Sequence, residues 1–134
     1  MSDCIFCKIV AGEIPSEKIY EDDFTFAFLD INPVNPGHTL VLPKEHSSNM
    51  FDISEEQAQH VTAVAKKIAI ALQNSGADGV NIISNNGTDA GQIVFHTHFH
   101  VIPRMKNDGY AHWHGKPYAE GEMQKTGEKI RALL

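Results

Sequence analysis

The sequence predicts an α+β fold, a five-stranded antiparallel sheet with one long and one short helix on one face. Three observations lead there. Five short stretches rich in β-branched and aromatic residues have the length and period of strands. One long stretch, 54–76, carries apolar residues at helical spacing. The remaining links are short enough for hairpins, with the long helix between the third and fourth strands. A chain of 134 residues with 42% hydrophobic content fits one domain with an ordinary core.

The elements follow in order. Asp3 is placed to cap a short helix over Cys4 to Val10, with Ile5, Phe6, Ile9 and Val10 as its apolar stripe and Gly12 at its end. Ile19-Tyr20 and Phe24 to Leu29 read as strands around the acidic turn Glu21-Asp22-Asp23, with Phe24, Phe26 and Phe28 on a core face. Asn32 to Gly37 has turn chemistry, and His38 to Leu42 is the third strand, stopped by Pro43. Ser54 with Gln57 makes a capping box, and Val61, Val64, Ala65, Ile68 and Leu72 follow over about five turns. Val80 to Ser84 is the fourth strand. The polar turn Asn85 to Gly91 leads into Gln92 to Pro103, the fifth. Beyond it lie an aromatic and histidine patch (Tyr110, His112, Trp113, His114) and a terminal helical pattern weakened by Gly121 and Gly127.

A net charge of −6 argues against a nucleic-acid polymer or an anionic membrane as the general partner, since both ask for a basic stripe. No apolar run approaches 18 residues and the start carries no signal-like segment, so the expectation is a soluble, cytoplasmic protein.

The chemistry concentrates in the fifth strand. Residues at i, i+2 and i+4 of a strand share a face, which would line His96, His98 and His100 along one elongated site. Two readings compete: three ligands to one catalytic metal, or a nucleophilic imidazole whose neighbours handle protons and charge at a phosphorus centre. Converging three alternating side chains on one ion requires them to bend inward, which disfavours the first. Gly87 and Gly91, with the amides of Asn85 and Gln92, offer donors to a phosphate and support the second. Cys4 and Cys7 are too close for a useful disulfide and lie outside a thioredoxin-like context. A structural zinc completed by His46 and one triad histidine explains them better.

These residues resemble the histidine triad family. The diagnostic pattern stands as His96-Thr97-His98-Phe99-His100-Val101-Ile102, supported by Cys-Ile-Phe-Cys-Lys-Ile at the start, Phe28-Leu29-Asp30-Ile31, Pro36 to His46, and Asn85 to Gln92. The match covers about residues 4–104, leaving 105–134 as a C-terminal extension, and is closest to bacterial members that keep the cysteine pair. The resemblance implies a homodimer with a ten-stranded sheet, and a purine nucleotide or nucleoside phosphoramidate substrate attacked at its α-phosphorus. It makes His98 the nucleophile, His100 the phosphate contact and His38 the histidine behind them. It gives Asp30 the ribose hydroxyls, and Ile5, Phe6, Ile9, Phe28 and Ile31 the base pocket. Asn85, Gly91 and Gln92 then lie by the phosphate, while Cys4, Cys7, His46 and His96 hold one structural zinc per subunit. Retention of the third histidine resembles the hydrolase branches. Many members carry Ser or Thr after the glutamine; this chain has Ile93, which offers a leaving group no hydrogen bond. Two alternatives stand beside the hydrolase reading: a nucleotide-binding protein with little activity, and a metal enzyme using the three triad histidines.

Overall fold

The computed structural model describes residues 3–134. Five strands, β1 (Lys18–Glu21), β2 (Thr25–Leu29), β3 (Thr39–Pro43), β4 (Gly79–Ile83) and β5 (Phe99–Arg104), form one sheet in the order β1-β2-β3-β5-β4. Every neighbouring pair is antiparallel. The helices are α1 (Ile5–Val10), α2 (Glu55–Asn74) and α3 (Glu122–Leu133). The fold class is therefore as expected, with a third helix where the terminal pattern suggested one. Among the described residues no helix is long and apolar enough to cross a membrane.

The expectation of helices on one face is corrected, because strand alternation serves two cores. Ala27, Val41 and Val101 pack with Val61, Val64, Ala65 and Ile68 of α2. The interleaved Phe26, Phe28, Leu40 and Leu42 pack on the opposite face, with Phe6 and Ile9 of α1. Residues paired across an antiparallel ladder share a face, and His100 pairs with Leu40. His100 therefore projects to the α1 side. Phe24 leaves the expected stripe: it is 41% exposed and stacks on His60 of α2, ring centroids 4.2 Å apart.

Two caps also differ from expectation. Cys4, not Asp3, caps α1, its Sγ accepting the Cys7 N–H at 3.3 Å. Ser54 caps α2 through the Gln57 N–H at 3.2 Å. The reciprocal half of the capping box is missing: Gln57 Oε1 is buried with no hydrogen-bond partner among the described residues.

The largest departure lies in the histidine run, where the strand begins only at Phe99. His96, Thr97 and His98 are all buried, which strand alternation on a two-faced sheet does not require. Side-chain and backbone bonds to the stretch after β3 hold this segment instead: Thr97 N–H donates to Ser47 O at 2.8 Å, and the two hydroxyls lie 2.6 Å apart. Beyond β5, Asp108 accepts two bonds from Arg104 and one from the Asn35 amide. The stretch between there and α3 is largely exposed, Trp113 almost fully, and α3 buries no residue.

Candidate active site

The backbone assigns a tautomer to each histidine, because a carbonyl can only accept and an N–H can only donate. His98 Nδ1 lies 2.7 Å from His96 O, so Nδ1 carries the proton and Nε2 keeps a free lone pair. Val34 N–H donates to His38 Nδ1 at 3.1 Å, which puts the His38 proton on Nε2. That proton is donated to His100 Nδ1 at 2.9 Å, and neutral His100 then carries its own proton on Nε2. His98 and His100 stand edge to face with centroids 5.0 Å apart. A lone-pair nitrogen and an N–H donor thus come from adjacent rings.

Burial holds these rings neutral. It lowers the pKa of His38 and His98 from the ordinary histidine value, with Asp30 opposing, and takes His100 down to about 4 with help from His98 and His38. Between pH 6.5 and about 4 an unfolded chain takes up a proton at His100 that the folded chain refuses, and the lowered His38 and His98 act in the same direction. The His100 contribution to stability is complete above pH 6.5 and falls as the pH drops toward 4. Urea unfolding at stepped pH should therefore show net proton uptake on unfolding across this window, reduced in His100→Gln; a flat profile would contradict neutral rings.

Asp30 borders the pair, its Oδ1 accepting Asn32 N–H at 2.8 Å and its Oδ2 lying 3.6 Å from His38 Nε2. The expected apolar wall divides. Phe6, Ile9 and Phe28 are buried, with Phe6 edge-on to His98 at 5.0 Å, whereas Ile5 and Ile31 are exposed. In the loop, Gly87 and Gly91 take φ of +97° and +95° around a single 3-10 turn, a conformation that favours glycine. Asn85 stands beside Gly91. The Gln92 side chain is engaged within the protein: its amide donates to Ser48 O and Val94 O, and its oxygen accepts from Gly87 and Asn49. Those bonds fold the loop and leave its side chain no free donor for a phosphate.

The remaining triad member belongs to a second cluster. His96 Nε2–H donates to Pro43 O at 2.7 Å, so its Nδ1 lone pair faces Cys4 Sγ at 3.4 Å, Cys7 Sγ at 3.5 Å and His46 Nδ1 at 3.2 Å. Cys7 Sγ and His46 Nδ1 are 3.4 Å apart, and the four donor atoms lie within 4.8 Å of one another. A tetrahedral zinc with the usual nitrogen and thiolate bond lengths needs donor separations of about 3.3 to 3.8 Å. This two-cysteine, two-histidine set fits the ion. The three triad histidines do not converge on one point: His100 groups with His38 and Asp30. Sequence reading missed the backbone partners, Pro43 O, Val34 N and His96 O, because atoms common to every residue leave no compositional signal.

A family model described as HIT domain matches residues 11–107. The chain belongs to the HIT domain family. Among its relatives, "Protein hit" of Bacillus subtilis is 46% identical, over 98% of this chain and 94% of that protein. A Schizosaccharomyces pombe relative named adenosine 5'-monophosphoramidase is 42% identical over 98% of both. A solved structure described as a zinc-bound histidine triad family protein from Mycobacterium smegmatis superposes with a TM-score of 0.79 at 36% identity, covering 99% of each chain. The HIT domain match begins after Cys4 and Cys7, so the cysteine half of the cluster lies outside the matched span.

Proposed function

We propose that this HIT domain hydrolyses purine nucleoside phosphoramidates or related nucleotides at the α-phosphorus, through a covalent nucleotidyl-histidine. The carrying observation is the bond from His98 Nδ1 to His96 O, which leaves Nε2 unprotonated in a buried site. The phosphoramidase name of the Schizosaccharomyces pombe relative supports the substrate class. In the first step His98 Nε2 attacks phosphorus and the phosphorus–nitrogen bond breaks, the nitrogen leaving as a neutral amine from its protonated form, while neutral His100 keeps its Nε2 proton and donates it in a hydrogen bond to a phosphoryl oxygen. In the second, water attacks phosphorus and gives its proton to the released amine, which leaves as an ammonium, while the Nε2–phosphorus bond breaks and the monophosphate is released. His38 orients His100, Asp30 accepts from the ribose hydroxyls, and the exposed Ile5 and Ile31 flank the base with Phe6, Ile9 and Phe28 behind. Asn85 and the backbone at Gly91 face the phosphate side. Mass spectrometry of protein quenched during turnover of an adenosine phosphoramidate should show one added nucleoside monophosphate on His98. An adduct on another residue, or steady turnover with no adduct, would overturn the covalent route.

Cys4, Cys7, His46 and His96 would hold one structural zinc, which with four protein ligands has no open position and takes no part at phosphorus. One observation favours a second reading, nucleotide binding with little turnover: Ile93 is 90% exposed and apolar beside the reacting groups' loop. Tight monophosphate binding without turnover, with turnover raised in Ile93→Ser, distinguishes it.

We also propose a homodimer formed through β4. The other outer strand, β1, has an irregular register and carries the Lys18–Glu21 ion pair, features that discourage edge pairing. Along β4, exposed Ile82 adjoins exposed Ile70 of α2 across a cleft also lined by Ala69 and Val80. Ile82→Lys should convert a dimer to a monomer by sedimentation velocity, weakening association at least about 100-fold, since one buried charge costs several kcal/mol.

A further inference from the structure

Cys4 and Cys7 stand where their sulfurs can bond each other as well as a metal. Cys7 N–H donates to Cys4 Sγ at 3.3 Å, and the two sulfurs lie beside the same His96 Nδ1, at 3.4 and 3.5 Å. They are within 4.8 Å of each other. Cys4 is the cap of α1, with extended backbone (φ −79°, ψ 117°), so no preceding helical turn restricts the rotation of its side chain toward Cys7. Of the four ligand residues only His96 is buried. The cluster therefore lies near the surface, beside a cavity of about 500 Å³ that Cys4 and His46 border. Zinc holds a cysteine sulfur as thiolate, which is the form that reacts with peroxides. A ring closed over so few residues adds little stability, so a disulfide formed there is readily reduced again. His96 connects the pair to the reacting histidines: its Nδ1 faces the sulfurs, and its carbonyl oxygen accepts from His98 Nδ1 at 2.7 Å.

We propose that Cys4 and Cys7 form a reversible oxidation site, where a peroxide exchanges the zinc for a Cys4–Cys7 disulfide and loosens the segment that holds His98. One thiolate attacks a peroxide oxygen and the oxygen–oxygen bond breaks, giving a sulfenic acid and hydroxide. The other thiolate attacks the sulfenic sulfur, forming the sulfur–sulfur bond and expelling a second hydroxide. Two electrons pass from the sulfurs to the peroxide, and the hydroxides take protons from solvent. Both sulfur ligands are then spent, and His46 and His96 alone do not retain the ion. A small thiol with fresh zinc reverses the exchange. The inference rests on the zinc reading above.

The test uses the full chain loaded with zinc and treated with hydrogen peroxide. Released zinc is read with a chromophoric chelator and the cysteines by mass spectrometry. One zinc should be released for each Cys4–Cys7 disulfide formed, the chain becoming two hydrogens lighter than the reduced, zinc-free form. Amide exchange should rise in residues 94–98, and kcat should fall about tenfold while nucleotide affinity stays within about threefold. Dithiothreitol with added zinc should restore all of these; since it does not repair methionine sulfoxide, recovery excludes the methionines as the cause. Zinc retained with both thiols intact overturns the proposal. So does a sulfinic acid or an intermolecular bond in place of the Cys4–Cys7 disulfide, or a disulfide that leaves exchange at 94–98 unchanged. Cys4→Ser keeps the two readings apart: zinc bound at full affinity in Cys4→Ser sinks the zinc site itself and this inference with it, whereas zinc lost in Cys4→Ser but retained by peroxide-treated wild type sinks the inference alone.

Discussion

His98→Ala should lower hydrolysis of an adenosine phosphoramidate by on the order of 10⁴-fold or more, and abolish the covalent adduct. Removing a nucleophile eliminates the route through which every other group acts, which is why such losses exceed those of proton-transfer partners. His100→Ala, removing an N–H donor to the phosphoryl oxygen, should cost about 10² to 10³. Nucleotide binding should survive both changes within about threefold, because the carboxylate of Asp30 and the walls at Ile5 and Ile31 are untouched. His98 also packs edge-on against Phe6, so alanine there leaves a gap in the α1 core and some loss of thermal stability is expected. His98→Asn separates the two effects: it fills more of the space and retains a donor for His96 O, yet supplies no nucleophile. Turnover near the wild-type rate in His98→Asn or His98→Ala would end the assignment, whatever happened to the melting temperature.

What the sequence made legible was pattern, and what it hid was termination and tautomer. The alternation of Phe26, Ala27 and Phe28 announced a strand, and the 3.6-residue repeat through Val61, Val64 and Ile68 announced α2; both signals come from burial, which leaves composition behind. Alternation in His96, Thr97 and His98 gave the same signal without a strand. There the buried state comes from hydrogen bonds to Ser47 and Pro43, contacts some fifty residues away in sequence. The pattern nevertheless led to the right neighbourhood, since Cys4, Cys7, His46 and His96 do meet. Its inference about equivalence failed. His96 is separated from His100 because strand pairing begins only at Phe99, and only His100 takes its direction from the ladder. The Gln92 partners were unreadable for a related reason: a carboxamide suits a phosphate, but equally suits backbone and side-chain partners, and here it bonds Ser48, Asn49, Gly87 and Val94. The division of helices between two faces was unreadable because β2 and β3 are apolar on both sides.

Removing zinc should cost more stability than any single side chain outside the core. The cluster joins three segments far apart in sequence: α1 through Cys4 and Cys7, the stretch after β3 through His46, and the segment before β5 through His96. A six-residue helix has little stability of its own, so without the ion α1 is held chiefly by Phe6 and Ile9. With free zinc about 1,000-fold above its dissociation constant, the ion contributes about 4 kcal/mol. For a domain of this size that corresponds to a melting temperature lower by about 10 to 20 °C on chelation. Cys4→Ser and Cys7→Ser should reproduce the loss, and chelator should add little to either. The location of the damage is as informative as its size. Amide exchange should rise in α1 and in residues 94–98 while β2, β3 and α2 stay protected, because those elements are braced by the opposite core. Since His96 O is the acceptor that fixes His98, loosening residues 94–98 should also lower kcat about tenfold while the nucleotide affinity changes little. A chelated protein that melts at the wild-type temperature and keeps its exchange pattern would show that the four donors stand together without needing the ion.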